Sequence, residues 1–181
     1  MKRILLGSIV GGLLIFIWQT LSWMVLDLHA KAHAYTDKEA AILNVLTTEL
    51  TQEGQYFMPG YKPGATSAEH QAVAEANTGK PWAMVSYHKS FEMPLATNII
   101  RALVVDFLLM GLFCWILSKF AAPKFGTVFL ASIFTGIIVF LNSVYTGHIW
   151  YETFDLMAHL TDAIVGWGLA GLWLGWWYSK K

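Results

Sequence analysis

Apolar residues run along this chain in long blocks, and polar residues are confined to the stretches between them. Four blocks are long enough to cross a bilayer, whose hydrocarbon core of about 30 Å needs about 20 apolar residues at about 1.5 Å each. They cover residues 4–28, 95–117, 125–145 and 156–178. The first is interrupted by Gln19, Thr20, Ser22 and Asp27 in its second half. Lys2 and Arg3 before it and Ala32-His33-Ala34 after it resemble the ends of a signal peptide. Its apolar stretch nevertheless exceeds the roughly 7–15 residues of such a segment, so a retained helix is expected.

The pattern changes over residues 29–94. Thr36-Asp37-Lys38-Glu39 has capping-box spacing, and Ile42, Leu43, Leu46 and Leu50 recur on one helical face, with Gly54 as the stop. Residues 55–64 are rich in Pro, Gly and aromatics and read as extended and turn-rich. Residues 67–77 predict a second short helix stopped by Gly79, and 82–88 a strand able to pair with 56–58. A segment this small has little core of its own. It is expected to lie on the membrane face of the bundle through Tyr56, Phe57, Tyr61, Trp82 and Phe91. The predicted fold class is an all-α integral membrane protein of four transmembrane helices, with a small α/β extracytoplasmic insert between the first two. It divides into helix 1 (1–28), the insert (29–94) and helices 2–4 (95–178).

Composition agrees with this pattern. The chain is 56% hydrophobic and 13% charged, against about 45–50% and about 25% in an average soluble domain. That excludes a disordered chain and a nucleic-acid binder running on bulk positive charge. Nine Trp, seven Tyr and eleven Phe suit membrane–water interfaces. The single cysteine, Cys114, has no internal disulfide partner. Net charge is zero, but its distribution is not even. Lys2, Arg3, Lys119, Lys124, Lys180 and Lys181 flank the blocks on one side with no acidic residue among them. By the positive-inside rule both termini are cytoplasmic, and the insert faces the periplasm or exterior.

Ionisable residues within apolar blocks are costly and mark candidate sites. Arg101 and Asp162 each lie about 9 Å from an outer block end, at about 1.5 Å per residue, and are expected to pair. Asp106 sits mid-block, level with Gln19 and Thr135; the group suggests either an interhelical hydrogen bond or a proton or ion path through Gln19, Arg101, Asp106 and Asp162. The densest pattern is His148, Glu152, Asp155, His159 and Asp162, at steps of 4, 3, 4 and 3. On one continuous helix that spacing forms a single stripe. Gly147 and Trp150-Tyr151 are where such a helix would break. Asp27, His29 and His33 end the first block nearby. Imidazole and carboxylate in this pattern suit a divalent metal such as zinc, copper or iron, with His29, His33, His148, Glu152, Asp155 and His159 as ligands. A solvated acidic lip or a pH-sensing histidine cluster would give the same pattern. Gly7-x-x-x-Gly11 and Gly171-x-x-x-Gly175 permit close helix contact, within the bundle or with another protein. Phosphate-binding loops, a nucleophile elbow and Cys-x-x-Cys are all absent from the sequence.

The stretch Trp23-Met24-Val25-Leu26-Asp27-Leu28-His29, with Gly54 to Gly60 after it, resembles a group of small bacterial inner-membrane proteins with no assigned function. The likeness spans about a quarter of the chain. It departs at Asp27-Leu28, where that group tends to carry Pro before the aromatic–His pair. The resemblance implies a bacterial inner membrane and no particular reaction.

The leading expectation is a non-catalytic membrane protein: an accessory subunit or assembly factor that meets other membrane subunits, or copies of itself, in the bilayer. Metal binding at the outer face and ion translocation are the alternatives.

Overall fold

The computed structural model describes residues 1–180, so Lys181 lies outside the described residues. The elements in order are α1 (Lys2–Met24), α2 (Glu39–Glu49), β1 (Gly54–Met58), α3 (Ser67–Asn77), β2 (Ala83–Tyr87), α4 (Leu95–Leu117), α5 (Phe125–Phe140), α6 (Thr146–Trp150) and α7 (Leu156–Ser179). They form two compact units: Met1–Tyr35 together with the chain from Pro94 onward, and Thr36–Met93.

In the first unit, α1, α4 and the continuous helix Phe125–Trp150 are long and apolar enough to cross a membrane. The last of these was expected to end at residue 145. Instead a π-helical turn, Leu141–Tyr145, carries it into α6 without a break. At 24 residues α7 is as long, but its apolar run is interrupted by His159, Asp162, glycines and tryptophans. The reason lies in its position. Both α5 and α1 pack against α7, and α4 packs on α1 and reaches α7 through Phe113 and Cys114. A central helix meets protein on several sides and needs small residues more than lipid-facing aliphatic ones.

Small residues set these contacts. A Cβ on Gly11 would come 2.9 Å from Met110 Sδ, and one on Gly171 would come 2.7 Å from Ser132 Cβ. Both Gly-x-x-x-Gly motifs are therefore used inside the unit. The Ser132 hydroxyl donates to the Trp167 carbonyl at 2.7 Å, tying α5 to α7. Met110, Cys114, Leu117, Val128 and Leu174 form the fully buried centre.

The second unit holds an antiparallel β1–β2 pair, with Tyr56 opposite Val85 and Met58 opposite Ala83. Helix α3 starts and stops where the pattern predicts. Its capping box is Thr66–Glu69: Glu69 accepts from the Thr66 amide at 2.7 Å, and the Glu69 amide donates to the Thr66 hydroxyl at 3.3 Å. The box expected at Thr36–Glu39 does not form. The N-cap of α2 is Lys38, and Thr36 only accepts from the Lys38 amide. Phe57 packs on Trp82, and Tyr61 stacks on His70 at 4.1 Å between centroids. Ile42, Leu43 and Val45 of α2 stay exposed.

Candidate metal centre

The functional cluster sits where α1 ends and α7 begins. Helix α1 stops at Met24, and Asp27 takes a left-handed conformation (φ 49°), which short polar residues tolerate better than most. The amides of Leu26 and Leu28 bond back to the Leu21 and Ser22 carbonyls. This fold-back brings the His29 ring onto the face of Trp23, parallel to within 3° and 3.8 Å between centroids.

Helix α7 supplies the opposing wall. Asp155 is its N-cap residue, and His159 and Asp162 follow at helical spacing, so all three project on one side. His29 is 4% exposed and is held from both edges. Its Nδ1 lies 2.6 Å from Asp155 Oδ2, and its Nε2 lies 2.9 Å from Asp162 Oδ2. His159 Nε2 approaches the same Asp155 oxygen at 3.3 Å. Trp18 donates its indole N–H to the other Asp162 oxygen at 3.0 Å, which fixes that carboxylate.

This geometry sets a cation count. A neutral imidazole carries one N–H, yet both ring nitrogens of His29 face carboxylate oxygens. Both contacts are satisfied only when two protons are present, or when a metal cation replaces one of them. Burial acts to raise the Asp155 pKa. The hydrogen bond from His29 and the charge of His159 outweigh it, and the carboxyl is held below the ordinary carboxylate range. An ionised carboxylate is the form that binds metal.

The group His29, Asp155 and His159 could hold a metal ion: one ligand atom from each lies within 4.8 Å of the other two. Metal–ligand bonds of about 2.0–2.2 Å place tetrahedral ligands about 3.4 Å apart. The 3.3 Å separation of His159 and Asp155 already has that value. The 2.6 Å His29–Asp155 contact is a hydrogen bond and must open by somewhat under 1 Å once a metal replaces its proton. Asp162 on the far nitrogen of His29 then completes a carboxylate–histidine–metal arrangement, which orients the ring and strengthens it as a donor. Beside the cluster lies a cavity of about 300 Å³, lined in part by Trp18, Gln19, Trp23, His159, Asp162 and Trp167. It leaves room for a water or ligand atom on the metal.

The expected five-residue stripe is interrupted. Tyr151 turns extended (φ −140°, ψ 108°), and the chain stays non-helical until Leu156. The break falls at the aromatic pair rather than at Gly147, which is helical. His148 and Glu152 therefore fall on the far side of a turn from Asp155. His148 Nδ1 accepts from the Thr153 amide at 2.9 Å, and Glu152 is exposed. His33 is exposed in the segment after His29. None of these three belongs to the convergent group.

The set expected within the membrane is also rearranged. Arg101 is exposed and has no ion pair among the described residues, because Asp162 is committed to His29 and Trp18. Asp106 is buried; Gln19 is the polar side chain facing it, and its Oδ2 lacks a hydrogen-bond partner. Thr135 bonds within its own helix to the Ala131 carbonyl. Toward the basic end, Met110, Phe113, Cys114 and Leu117 are all buried. Sequence reasoning missed the two tryptophans. Their signal was present in Trp18, Trp23 and His29, whose spacing brings all three to one end of α1.

No protein-family model, no curated protein and no solved structure matches this chain.

Proposed function

We propose that this protein is a multi-pass membrane protein that binds one divalent metal ion at the outer ends of its helices. His29, Asp155 and His159 are the ligands, Asp162 supports His29, and zinc is the preferred ion. One observation carries the reading: three metal-ligating side chains from opposite ends of the sequence converge, and the free nitrogen of the first is held by a fourth side chain. Two imidazoles and a carboxylate with one open fourth position match tetrahedral zinc; the same donors with several open positions suit iron(II), which the titration includes as competitor. The reading assigns binding and no turnover.

The topology proposed with it has four spans, α7 being the fourth, with both termini cytoplasmic and the insert outside. Support comes from the five described basic residues at one end of the helices, and from the length of α7, about 36 Å at 1.5 Å per residue. A bacterial inner membrane follows from the resemblance of the 23–29 stretch.

The test is elemental analysis of the full chain, purified in detergent without chelator, followed by zinc titration with iron(II) as competitor. About one zinc per chain, lost in His29→Ala and His159→Ala, is expected. Absence of saturable binding in a folded protein would reduce the cluster to a proton-bridged structural tie.

An accessory role in a larger complex keeps one specific support. An apolar groove of about 390 Å³ between α4 and α5 is lined by Leu108, Leu112, Ile116 and Thr135, among others. A helix from a partner subunit would fill it. Photocrosslinking from position 112 in native membranes tests this; adducts with lipid alone would refute it.

A further inference from the structure

At the end of the helices opposite the histidine cluster, α1 begins, α4 runs into α5, and α7 stops. Two clefts open there, of about 570 and 560 Å³. They share Arg3, Ala121, Pro123 and Tyr178; one adds Lys2 and the other adds Lys124 and Lys180. We infer that this basic pair of clefts binds the headgroup of an anionic phospholipid.

Among the described residues this charge has no acidic counterpart. Residues 1–26, 107–151 and 163–180, among which lie all the described residues of this end, contain no Asp or Glu. Every ion pair among the described residues belongs to the histidine cluster, so Arg3, Lys124 and Lys180 have no carboxylate partner. Arg3 is preset for the role. It gives one N–H to the Lys180 carbonyl at 2.9 Å, which anchors the guanidinium in the cleft and leaves its remaining donors free. Lys180 lies over the Trp176 ring, 3.6 Å from the centroid, which holds its ammonium near the helix end.

Helix α5 adds a second source of positive potential. It starts after Lys124 with no side-chain cap, so its first amides remain free for an acceptor oxygen. A phosphodiester supplies such oxygens and one negative charge.

A lipid fits better than a free anion. Phe120 and Phe125 flank the α4–α5 turn, and each keeps at least 40% of its surface exposed. Leu5 of α1 is likewise exposed. Acyl chains running from the headgroup along these side chains cover apolar surface that inorganic phosphate leaves bare. This inference uses none of the metal-site residues and stands apart from that reading.

The experiment uses the full chain in neutral detergent at physiological salt. Binding of phosphatidylglycerol, phosphatidylcholine and inorganic phosphate is read by native mass spectrometry and by the thermal melt. Saturable phosphatidylglycerol binding at least tenfold tighter than phosphatidylcholine is expected, with no shift from phosphate. The triple variant Arg3→Gln, Lys124→Gln, Lys180→Gln should lose that preference. A control carrying Lys62→Gln, Lys80→Gln and Lys89→Gln removes equal charge elsewhere and should keep it. If the first triple variant does not fold, Lys124→Glu alone should lower the preference severalfold. Equal binding of the two lipids, equal loss in the control, or a phosphate shift matching that of phosphatidylglycerol would each overturn the inference.

Discussion

Asp162→Asn gives the sharpest test of the proposed metal centre, because it alters one charge and almost no volume. Asp162 is partly exposed and touches no metal in the proposed arrangement; it acts through His29. In the native chain its Oδ2 lies 2.9 Å from His29 Nε2, and its Oδ1 accepts from Trp18 at 3.0 Å. An asparagine keeps the Trp18 bond through its carbonyl and turns its NH₂ toward His29. That NH₂ donates, so Nε2 must now accept, and the single remaining ring proton moves to Nδ1. Nδ1 is the nitrogen that faces Asp155 and would hold the metal. The substitution therefore both removes the supporting carboxylate and selects the wrong tautomer. Loss of such a support typically costs about 10–100-fold in metal affinity, about 1.4–2.7 kcal/mol. Competition with a chromophoric zinc chelator, on detergent-purified protein, reads this directly. Arg101→Gln is the control: Arg101 is exposed and unpaired, and its variant should bind zinc like the parent. An Asp162→Asn protein that is folded and binds zinc within twofold of the parent would refute the role given to Asp162. It would also show that the Nε2 contact does not set the His29 tautomer.

Three further outcomes follow from the geometry. Glu152→Gln and His148→Ala should leave zinc stoichiometry unchanged in the same assay, since the turn at Tyr151 separates both from the convergent group. Gly136→Ala should destabilise the protein by about 1–3 kcal/mol in a detergent unfolding titration. The added Cβ would lie 2.7 Å from Trp167 Cδ1 and collide with the Ala163 carbonyl, whereas Gly126→Ala meets nothing within 4 Å and should be neutral or slightly stabilising; equal stability of the two variants would sink the packing argument. The third concerns pH. Hydrogen bonds from the Thr66 amide and hydroxyl hold the Glu69 pKa below its ordinary value of 4.5. A carboxylate depressed in the folded state stabilises α3 above that value, and the contribution is lost as pH falls through the folded one. Amide-exchange protection factors over Ser67–Asn77, taken relative to the intrinsic exchange rate at each pH, should therefore fall on acidification below the ordinary Glu range, and this dependence should vanish in Glu69→Gln, whose amide keeps the box at every pH. Unchanged acid sensitivity in that variant would count against the cap.

Periodicity and hydropathy sufficed for the elements. The start and end of α4, α3 between Thr66 and Gly79, and the pairing of 56–58 with a strand after Trp82 all follow from local pattern, because each is set by residues within a turn or two of it. Continuation of the helix past residue 145 to Trp150 was not legible, since Thr146, Gly147 and His148 end the apolar run and are weak helix formers. Tertiary contacts decided which polar residues meet. Seven residues at or near this end of the helices were candidates by spacing: His29, His33, His148, Glu152, Asp155, His159 and Asp162. Spacing along one helix brings Asp155, His159 and Asp162 together, but nothing local says that His29 rather than His33 joins them. That choice depends on the left-handed turn at Asp27 and on the Trp23 face that receives the ring, two features more than 120 residues from their partners in α7. Likewise Asp162 appeared matched to Arg101 by depth alone. Depth is one coordinate of three; rotation about the helix axis, fixed by glycines packed against neighbouring helices, turns Asp162 to His29 and leaves Arg101 unpaired.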